Sequence, residues 1–331
     1  MSSRSKAATL ADVARAAGVS TAVVSYVIND GPRPVAPQTR DRVLAAAAEL
    51  DYRPNRVARA LRSRTTGVVG LVLANASNPY FAALARHIER ALDERDKLTL
   101  LGNADYSPDR QDHLVERFIA AQVDGLIVVS AEGGADVAAR ARQADIRAVY
   151  VHNRPAHTRV ATVAADNDAA VHQSVAHLRG HGHTRIGFLA GPDDAGPVGE
   201  RHAAWRSAMR GSEAPLLRSD YTRASAAAVL RHAIDEGAVP PALITATDEQ
   251  AIGVLAAAAA AGIGVPDRLA VISLDGTPDS AYTAPALTVT EQPLHTMARR
   301  TVDLLLDDTP PPNRAIQAPL IPRRSCGCAA T

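Results

Sequence analysis

From Gly67 onward the chain alternates short, continuous apolar runs with longer segments in which apolar residues recur at helical spacing. The apolar runs predict buried strands at 67–73, 98–102, 124–129, 148–151, 160–165, 185–190, 242–246 and 269–274. Segments such as 81–95 and 250–262 predict the helices between them. Continuous apolar strands that alternate with helices are typical of parallel sheets covered on both faces. The strands are too many for one sheet of ordinary size, so we expect an α/β body of two doubly wound halves, with a ligand cleft beyond the carboxyl ends of the strands.

The first part of the chain has a different, purely helical pattern. Thr9 and Asp12 form a capping box before apolar residues at 10, 13, 14 and 17. Gly18 is suited to end this helix, and Ser20 is suited to cap a second one. Two short helices joined by a Gly-containing turn are typical of a helix-turn-helix, although a generic two-helix corner of another α-helical domain has the same pattern.

The second helix has a buried side at 23, 24, 27 and 28, so its other residues are expected to face outward. Small and polar side chains there suit the donors and acceptors of a DNA groove: Thr21, Ala22, Ser25, Tyr26 and Asn29. A third helix is expected from Pro37 to about Leu50, closing a small core with Val43, Leu44, Ala47 and Leu50. Arg33 and Thr39 lie near its start, where side chains and free amides can hold phosphates.

Residues 54–66 link this head to the body and are rich in arginine. Residues 55–61 could form a short helix, which would be marginal in water and would fold only on a partner surface. A basic segment with one apolar tip, Leu61, fits a wedge inserted into a minor groove. A plain interdomain linker with solvated arginines is the alternative.

Charge and composition favour a globular protein with one basic end. Residues 1–66 hold 11 Lys and Arg against 5 Asp and Glu, whereas the remainder holds 25 against 30. Only the head is therefore expected to meet a polyanion. The chain shows neither an apolar run long enough to span a bilayer nor a secretion signal, and its two cysteines lie at the C-terminus, so we expect a reduced, cytoplasmic protein without a membrane partner.

These segments together resemble the lactose-repressor (LacI-type) family of bacterial transcription regulators over nearly the whole chain. The matching stretches include TLADVARAAGVS, VVSYVIN, TRDRVLAAAAELDYRPNRVARALRS, NPYFAAL, VDGLIVVS, GHTRIGFLAGP, RHAAW, TATDEQAIGVL, GIGVPDRLAVISLDG and PALTVTEQP. The resemblance implies a helix-turn-helix head at 1–53, a hinge helix at 54–66 and a body at 67–331 similar to periplasmic sugar-binding proteins. We expect one subdomain at about 67–163 and 291–316, and a second at about 164–290 and 317–331.

The resemblance implies a regulator, a repressor or less often an activator, that binds double-stranded, pseudopalindromic operator DNA. Its partners would be a second copy of the chain, with dimer and tetramer both open, and a small-molecule effector, a sugar or related metabolite; no cofactor is expected. The implied DNA-contacting residues are Thr9, Ser20, Thr21, Ala22, Ser25, Tyr26, Asn29, Arg33, Thr39, Tyr52, Asn55, Arg56, Ala58 and Leu61. Many relatives have arginine where Tyr26 stands, so the bidentate guanine contact is missing and the operator sequence does not transfer. They usually have serine where Ala36 stands, so a helix cap and a possible phosphate contact are missing here.

The family pattern also assigns effector contacts in the body. Tyr80 and Phe81 are expected to stack on a ring, Arg201 and Asp248 to recognise hydroxyl or carboxylate groups, and Asp275 to act as a further acceptor. Tyr80 and Phe81 have core packing as their alternative role. A solute-binding module without a DNA role and an α/β enzyme are the rival functions, but the basic head disfavours the first and the chain lacks the catalytic signatures that we sought for the second.

Histidines and cysteines, which can bind metal ions, form two clusters that lie far apart in the sequence. His172, His177, His181 and His183 do not match a zinc signature, and Cys326 and Cys328 fit a reduced tail. We therefore expect no metal site.

Overall fold

The computed structural model describes residues 8–29, 31, 33–53, 65–129, 135–153, 160–307 and 315–329. The chain separates into two compact units, residues 1–66 and 67–331. We call them the head and the body, and each is described by itself.

The described part of the head contains three helices around a small aliphatic core. They are α1 (Leu10–Ala17), α2 (Thr21–Ile28) and α3 (Pro37–Glu49). Thr9 and Asp12 form the expected capping box, and Gly18 ends α1 with a φ of 65°. The core consists of Val13, Ala14, Ala17, Val24, Val27, Val43, Ala46 and Ala47. Leu44 and Leu50, expected in this core, are 44% and 37% exposed, so the expectation was wrong for them; Ala46 and Ala47 provide the inward face of α3.

The first half of the body is built on a five-stranded parallel sheet of order β2-β1-β3-β4-β5. Its strands are β1 (Val68–Leu73), β2 (Leu98–Asn103), β3 (Gly125–Val128), β4 (Arg147–Val151) and β5 (Ala161–Val163). The helices of this half are α4 (Pro79–Asp93), α5 (Pro108–Ala120), α6 (Ala135–Gln143) and α11 (Leu294–Leu306). Helices α4 and α11 cover one face with a buried aliphatic cluster, and α5 and α6 cover the other.

The second half is built on a six-stranded sheet of order β11-β10-β9-β8-β6-β7. Its strands are β6 (Ile186–Ala190), β7 (Leu216–Arg218), β8 (Ala242–Thr245), β9 (Ala270–Ser273), β10 (Thr288–Thr290) and β11 (Leu320–Ile321), of which only the β10–β11 pair is antiparallel. The helices are α7 (Asn167–Gly180), α8 (Gly196–Ala208), α9 (Arg223–Asp235) and α10 (Asp248–Ala260), with short 3-10 helices η1 (Pro278–Tyr282) and η2 (Arg324–Cys326). Helices α7 and α8 cover one face, and α9 and α10 cover the other.

The chain passes between the two halves three times. It leaves the first sheet after β5, returns between β10 and α11, and passes back before β11 after residue 316 pairs with residue 165. The expected fold class, an α/β protein with a three-helix head and two parallel-sheet halves, is confirmed. The exact subdomain boundaries remain a prediction.

No single helix in the described ranges is long and apolar enough to cross a membrane. The pair α1 and α2 meets the length and composition criteria only when both helices are taken together across a bend of 104°.

Candidate functional site

A cavity of about 530 Å³ lies between the two halves of the body. Its wall includes residues within three positions after the carboxyl ends of strands in both sheets: Ala74, Tyr106, His152, Pro192, Asp220, Thr247 and Asp275. Parallel α/β sheets bind ligands at this edge, and the volume is in the range of small-molecule sites. This cavity is the candidate effector site.

Arg201 is the principal charged group in the cavity wall. It lies on α8 with only 1% of its surface exposed. Its Nε donates to Oδ1 of Asn167 at 2.9 Å, and its Nη1 donates to the carbonyl of Ala246 at 2.5 Å and to Oδ1 of Asp275 at 3.0 Å. Its Nη2 is buried without a hydrogen-bond partner among the described residues. Because such a donor is costly to leave unpaired, it is suited to bind an oxygen atom of a ligand.

Asp275 is held beside Arg201 by a backbone N–H group. Its Oδ2 accepts from the backbone N–H of Asp248 at 3.2 Å. Burial raises the pKa of Asp275 to about 6, with the Arg201 guanidinium acting in the opposite direction and the charge of Asp248 adding to the increase. At pH 7 the Arg201–Asp275 pair is therefore largely ionised and carries no net charge.

Asp248, expected to contact an effector, has its carboxylate bonded to groups of the protein, and its contact with a ligand stays a prediction. Its carboxylate oxygens accept from Ser273 Oγ at 2.5 Å, from the N–H and Oγ1 of Thr277 at 2.6 and 2.7 Å, and from the N–H of Gly276 at 3.4 Å. Gly276 permits this turn because its φ is 72° and a Cβ there would lie 2.5 Å from Cα of Glu291. Asp248 is thus engaged in fixing the turn after β9, which includes Asp275.

Aromatic side chains from both halves form the apolar part of the cavity wall. Phe81 and Tyr106 come from the first half, with ring centroids 6.2 Å apart in an edge arrangement. Tyr221 comes from the second half, and its ring centroid lies 6.1 Å from that of Tyr106. The two tyrosines, one from each half, therefore lie close together in the cavity wall.

Tyr80 belongs both to the cavity wall and to the core of the first half. It is 2% exposed, and its hydroxyl donates to Oε1 of Gln292 at 2.7 Å. Because the single hydroxyl hydrogen of Tyr80 points to Gln292, the hydroxyl oxygen accepts from the N–H of His152 Nδ1, 2.9 Å away. This assignment makes Nε2 of His152 an acceptor on a ring that lines the cavity.

His152 is held in an unusual conformation. Its φ is 71°, a value that residues other than glycine adopt rarely and that is common at functional sites. Burial, followed by the charge of Arg201, lowers the pKa of His152 to about 3. The imidazole is therefore neutral at pH 7.

Four of the five expected effector residues line this cavity: Tyr80, Phe81, Arg201 and Asp275. Sequence reasoning missed Tyr106, Tyr221 and His152. His152 directly follows a correctly predicted strand, and Tyr106 comes three residues after another. A location just after the carboxyl end of a predicted strand could therefore have identified His152 and Tyr106. It could not have identified Tyr221, because the strand before it, β7, was not predicted.

The expected DNA-contacting residues of the head lie at helix starts and on the outer side of α2. Thr9 and Ser20 are the N-caps of α1 and α2, and Ser20 Oγ accepts from the N–H of Val23. Hydrogen bonding by Thr9 lowers the pKa of Asp12. Thr21 and Ala22 are exposed in the first turn of α2.

The remaining described head residues differ in their surroundings. Ser25 is half-buried and accepts from Asn29 Nδ2, and the ring of half-buried Tyr26 lies so close to Gly31 that a Cβ there would be 2.5 Å from Tyr26 Cδ1. Arg33 is exposed and Thr39 is half-buried at the start of α3.

Tyr52 packs against the head core, which gives it a structural role besides any contact with DNA. Asn55, Arg56, Ala58 and Leu61, with residues 54–64 of the expected hinge, lie outside the described residues.

The structure also brings together His177, His181, Cys326 and Cys328, whose ligating atoms all lie within 4.8 Å of one another. From the sequence we expected no metal site, because the two pairs lie about 150 positions apart.

Both the head and the body match known protein families. Residues 9–55 match the family described as bacterial regulatory proteins, lacI family, and residues 175–326 match a periplasmic binding protein-like domain. Catabolite control protein A of Priestia megaterium is 32% identical over 304 residues, covering 90% of this chain and 91% of that protein. The chain belongs to the LacI family of bacterial regulatory proteins. The transcriptional regulator MalR of Streptomyces coelicolor is 33% identical over 326 residues, covering 92% of each chain.

Solved structures of LacI-family members have the same fold. A lac repressor dimer bound to operator and the anti-inducer ONPF superposes with a TM-score of 0.86 at 26% identity, covering 97% of this chain and 99% of that one. A complex of the transcriptional regulator CelR with cellobiose gives a TM-score of 0.71 at 29% identity, covering 96% and 99%.

This LacI-family protein is accordingly a DNA-binding regulator of transcription.

Proposed function

We propose that this protein is a repressor that binds a pseudopalindromic operator as a homodimer and that its effector is a neutral sugar bound in the cavity. The observation that carries the effector assignment is the unpaired Nη2 of Arg201, buried in the cavity wall. A ligand oxygen at this position would satisfy the donor and fix the ligand's orientation.

The charges of the cavity favour a neutral ligand over a phosphorylated one. The charge of Arg201 is already balanced by Asp275, and two further carboxylates, Asp193 and Asp220, are in the wall. A phosphate would lie near these carboxylates without an unpaired cation to offset them.

The other groups in the wall suit a sugar. Phe81, Tyr106 and Tyr221 offer aromatic surface for the apolar faces of a sugar ring, and Nε2 of His152 can accept from a hydroxyl group. The similar regulator CelR has been solved with cellobiose.

Base reading is assigned to the outer side of α2. Thr21 and Ala22 are exposed at the start of that helix, and Gly31 supports the ring of Tyr26. The absence of an arginine from α2 leaves out the bidentate guanine contact, so we propose that half-site spacing and the hinge contribute much of the specificity. Leu61 remains the proposed minor-groove wedge on sequence grounds.

The coupling between ligand and DNA is proposed to run through the arrangement of the two body halves. The cavity wall has groups from both halves, so a ligand in it prefers one arrangement over another. Tyr80 and Gln292 link the first half to the crossing between β10 and α11. We expect a coupling free energy of about 1–3 kcal/mol.

The edge strand β2 is proposed as part of the dimer interface. Leu98, Leu100 and Leu101 are 48%, 38% and 48% exposed, which is unusual for neighbouring leucines on an edge strand. A Leu98→Asp, Leu101→Asp variant should shift the sedimentation of the protein toward monomer. Dimer retained at micromolar concentration would remove β2 from the interface.

Thermal-shift and calorimetric titrations with neutral hexoses and disaccharides, the matching sugar phosphates, and nucleobases test the effector assignment. We expect a neutral sugar to stabilise the protein and Arg201→Met to abolish this effect. Because that change leaves Asp275 unpaired, the Arg201→Met, Asp275→Asn double variant tests the same contact with the charge balance kept. Arg206→Met, at an exposed position on the same helix, is the matched control. Wild-type sugar binding by the double variant would exclude this site.

A gel-shift salt series with the protein's own upstream DNA tests the DNA assignment. Specific binding should weaken steeply as salt increases, because bound cations are displaced from phosphates. Equal binding to unrelated DNA across the series would contradict an operator-binding function.

A further inference from the structure

Two histidines and two cysteines from distant parts of the sequence meet at the C-terminal end of α7. His177 and His181 are four residues apart, so they share one face of the helix. Cys326 ends η2, and Cys328 follows after a single residue. The two pairs are separated by about 150 positions, so only the tertiary fold brings them together.

The distances between these side chains match those of a tetrahedral metal site. His177 Nε2 lies 3.2 Å from Cys326 Sγ and 3.5 Å from Cys328 Sγ, and His181 Nε2 lies 3.4 Å from Cys328 Sγ. Zinc bonds of ordinary length at tetrahedral angles separate a nitrogen and a sulfur ligand by about 3.6 Å. The whole set lies within 4.8 Å, so small side-chain rotations bring every atom to bonding distance of one ion.

The backbone around the cysteines directs both sulfur atoms toward α7. Gly327 has a φ of 98°, a region that favours glycine, and its N–H bonds back to the carbonyl of Arg324. This turn brings Cys328 back beside His181. A Cβ on Gly327 would lie 3.5 Å from His181 Nδ1, so the chain passes directly against the imidazole.

A second group of contacts supports Cys326 as a ligand. Cys326 is 1% exposed, and the hydroxyl of Thr288 on β10 lies 3.0 Å both from its sulfur and from the carbonyl of Arg323, so its hydrogen can turn to a thiolate when one forms. A hydroxyl hydrogen bond of this kind stabilises a thiolate and orients it, as outer-shell partners do in metal sites. The buried sulfur of Cys326 offers an ion a fixed ligand, and the half-exposed sulfur of Cys328 leaves the ion a path from solvent.

We propose that His177, His181, Cys326 and Cys328 bind one Zn²⁺ ion per chain. Two imidazole nitrogens and two thiolates form a donor set that zinc prefers, and four protein ligands make a closed, structural site. Zinc binding displaces the two thiol protons and connects the C-terminal segment to α7. The ion thereby stabilises the second half of the body, independently of the effector cavity.

Cobalt titration of the reduced, metal-free full-length protein tests the site. One equivalent of Co²⁺ should give intense visible absorption and a near-ultraviolet thiolate-to-cobalt charge-transfer band, and one equivalent of Zn²⁺ should remove both. His181→Ala and Cys328→Ser each remove an exposed or half-exposed ligand outside the core. Each should weaken Zn²⁺ binding by at least about 100-fold, more than is typical for loss of an outer-shell partner.

His172→Ala is the matched control. His172 is exposed on the same helix and contacts only Asp168 of that helix among the contacts described, at 2.9 Å to its carbonyl. Its loss should leave Co²⁺ and Zn²⁺ binding unchanged.

Two further readouts keep the proposal open to refutation. Zn²⁺ should slow alkylation of Cys328 and raise the unfolding temperature reported by Trp205, which shares a buried cluster with Cys326. Neither effect should occur in His181→Ala. The proposal would be overturned if the reduced protein, with both thiols free, gave no charge-transfer band with Co²⁺. It would also be overturned if both ligand variants bound Zn²⁺ with wild-type affinity. A Cys326–Cys328 disulfide that persists under reducing conditions would also overturn it.

Discussion

The hydroxyl of Tyr80 lies 2.7 Å from Oε1 of Gln292, a residue 212 positions further along the chain. Tyr80 begins the first helix of the body, and Gln292 lies where the chain crosses back from the second sheet. Gln292 in turn bonds the carbonyls of Leu274 and Asp275, next to the ion pair with Arg201. A continuous set of buried hydrogen bonds therefore connects the two halves beneath the effector cavity.

Tyr80→Phe should weaken this connection without changing the shape of the core. Gln292 Oε1 and His152 Nδ1 would each lose a buried partner, so we expect a loss of about 1–3 kcal/mol in the free energy of unfolding. Urea unfolding followed by the fluorescence of Trp205, the single tryptophan, measures the change. Tyr282→Phe, at a position 87% exposed, is the control and should have no effect. Equal stability of Tyr80→Phe and wild type would mean that the Tyr80 hydroxyl does not contribute to holding the halves.

His152 should make the protein less stable in acid. Its pKa is lowered to about 3 in the folded state, mainly by burial, from an ordinary value of 6.5. Stability is therefore fully present above pH 6.5 and is lost as the pH falls toward 3, because the unfolded chain binds the proton more readily. Between pH 7.5 and 5 this contribution is roughly 2 kcal/mol. In His152→Gln, whose amide can still donate to Tyr80, the free energy of unfolding should decrease less over this range; parallel curves would show that His152 is not the titrating group.

Asp275 should have the opposite pH dependence. Burial raises its pKa from 3.8 to about 6, so its contribution to stability is fully present below pH 3.8 and is lost as the pH rises through 6. In the wild type it should offset part of the loss due to His152, by roughly 1.4 kcal/mol between pH 7.5 and 5. Asp275→Asn removes this offset, and its free energy of unfolding should fall more steeply on acidification than that of the wild type. A shallower decrease would contradict the raised pKa.

The sequence was a good guide to the fold wherever a strand was long and wholly apolar. The runs around Leu71, Ile127 and Ile244 are buried on both faces, so their hydrophobicity alone identified them. Strands β7, β10 and β11 have two or three residues each, and sequences such as LLR and TVT contain too few positions to show a pattern. Their pairing comes from the neighbouring strands.

Site residues could be predicted only where a single continuous segment of the sequence contains the pattern that identifies them. Phe81 and Arg201 lie in stretches that resemble the family, whereas Tyr221 comes to the cavity through a loop whose course depends on the tertiary fold. The same limit explains the His177 and Cys326 group, since each sequence segment supplies only two of the four side chains. Asp248 was assigned by resemblance to a ligand contact, but the turn at Thr277 occupies its oxygens.

Asp248→Asn should therefore act on stability first. The amide that replaces one carboxylate oxygen would present hydrogens to the donors of Ser273 and Thr277, so we expect a loss of about 3 kcal/mol in the free energy of unfolding. Asp235→Asn, exposed at the end of α9, is the control. If Asp248→Asn kept wild-type stability but lost effector binding, the carboxylate would contact the ligand directly.

Arg33→Ala should reduce the dependence of operator binding on salt. Arg33 is exposed between α2 and α3, and an arginine that neutralises one phosphate adds about 0.9 to the slope of log affinity against log salt concentration. The variant should bind more weakly at low salt, with its slope smaller by about that amount and its base preferences unchanged, as measured by gel shift from low to moderate salt. Arg15→Ala is the comparison, because the Arg15 guanidinium already pairs with Asp12 at 3.0 Å and its loss should leave the slope near that of the wild type. A wild-type slope in Arg33→Ala would show that this side chain does not contact the DNA backbone.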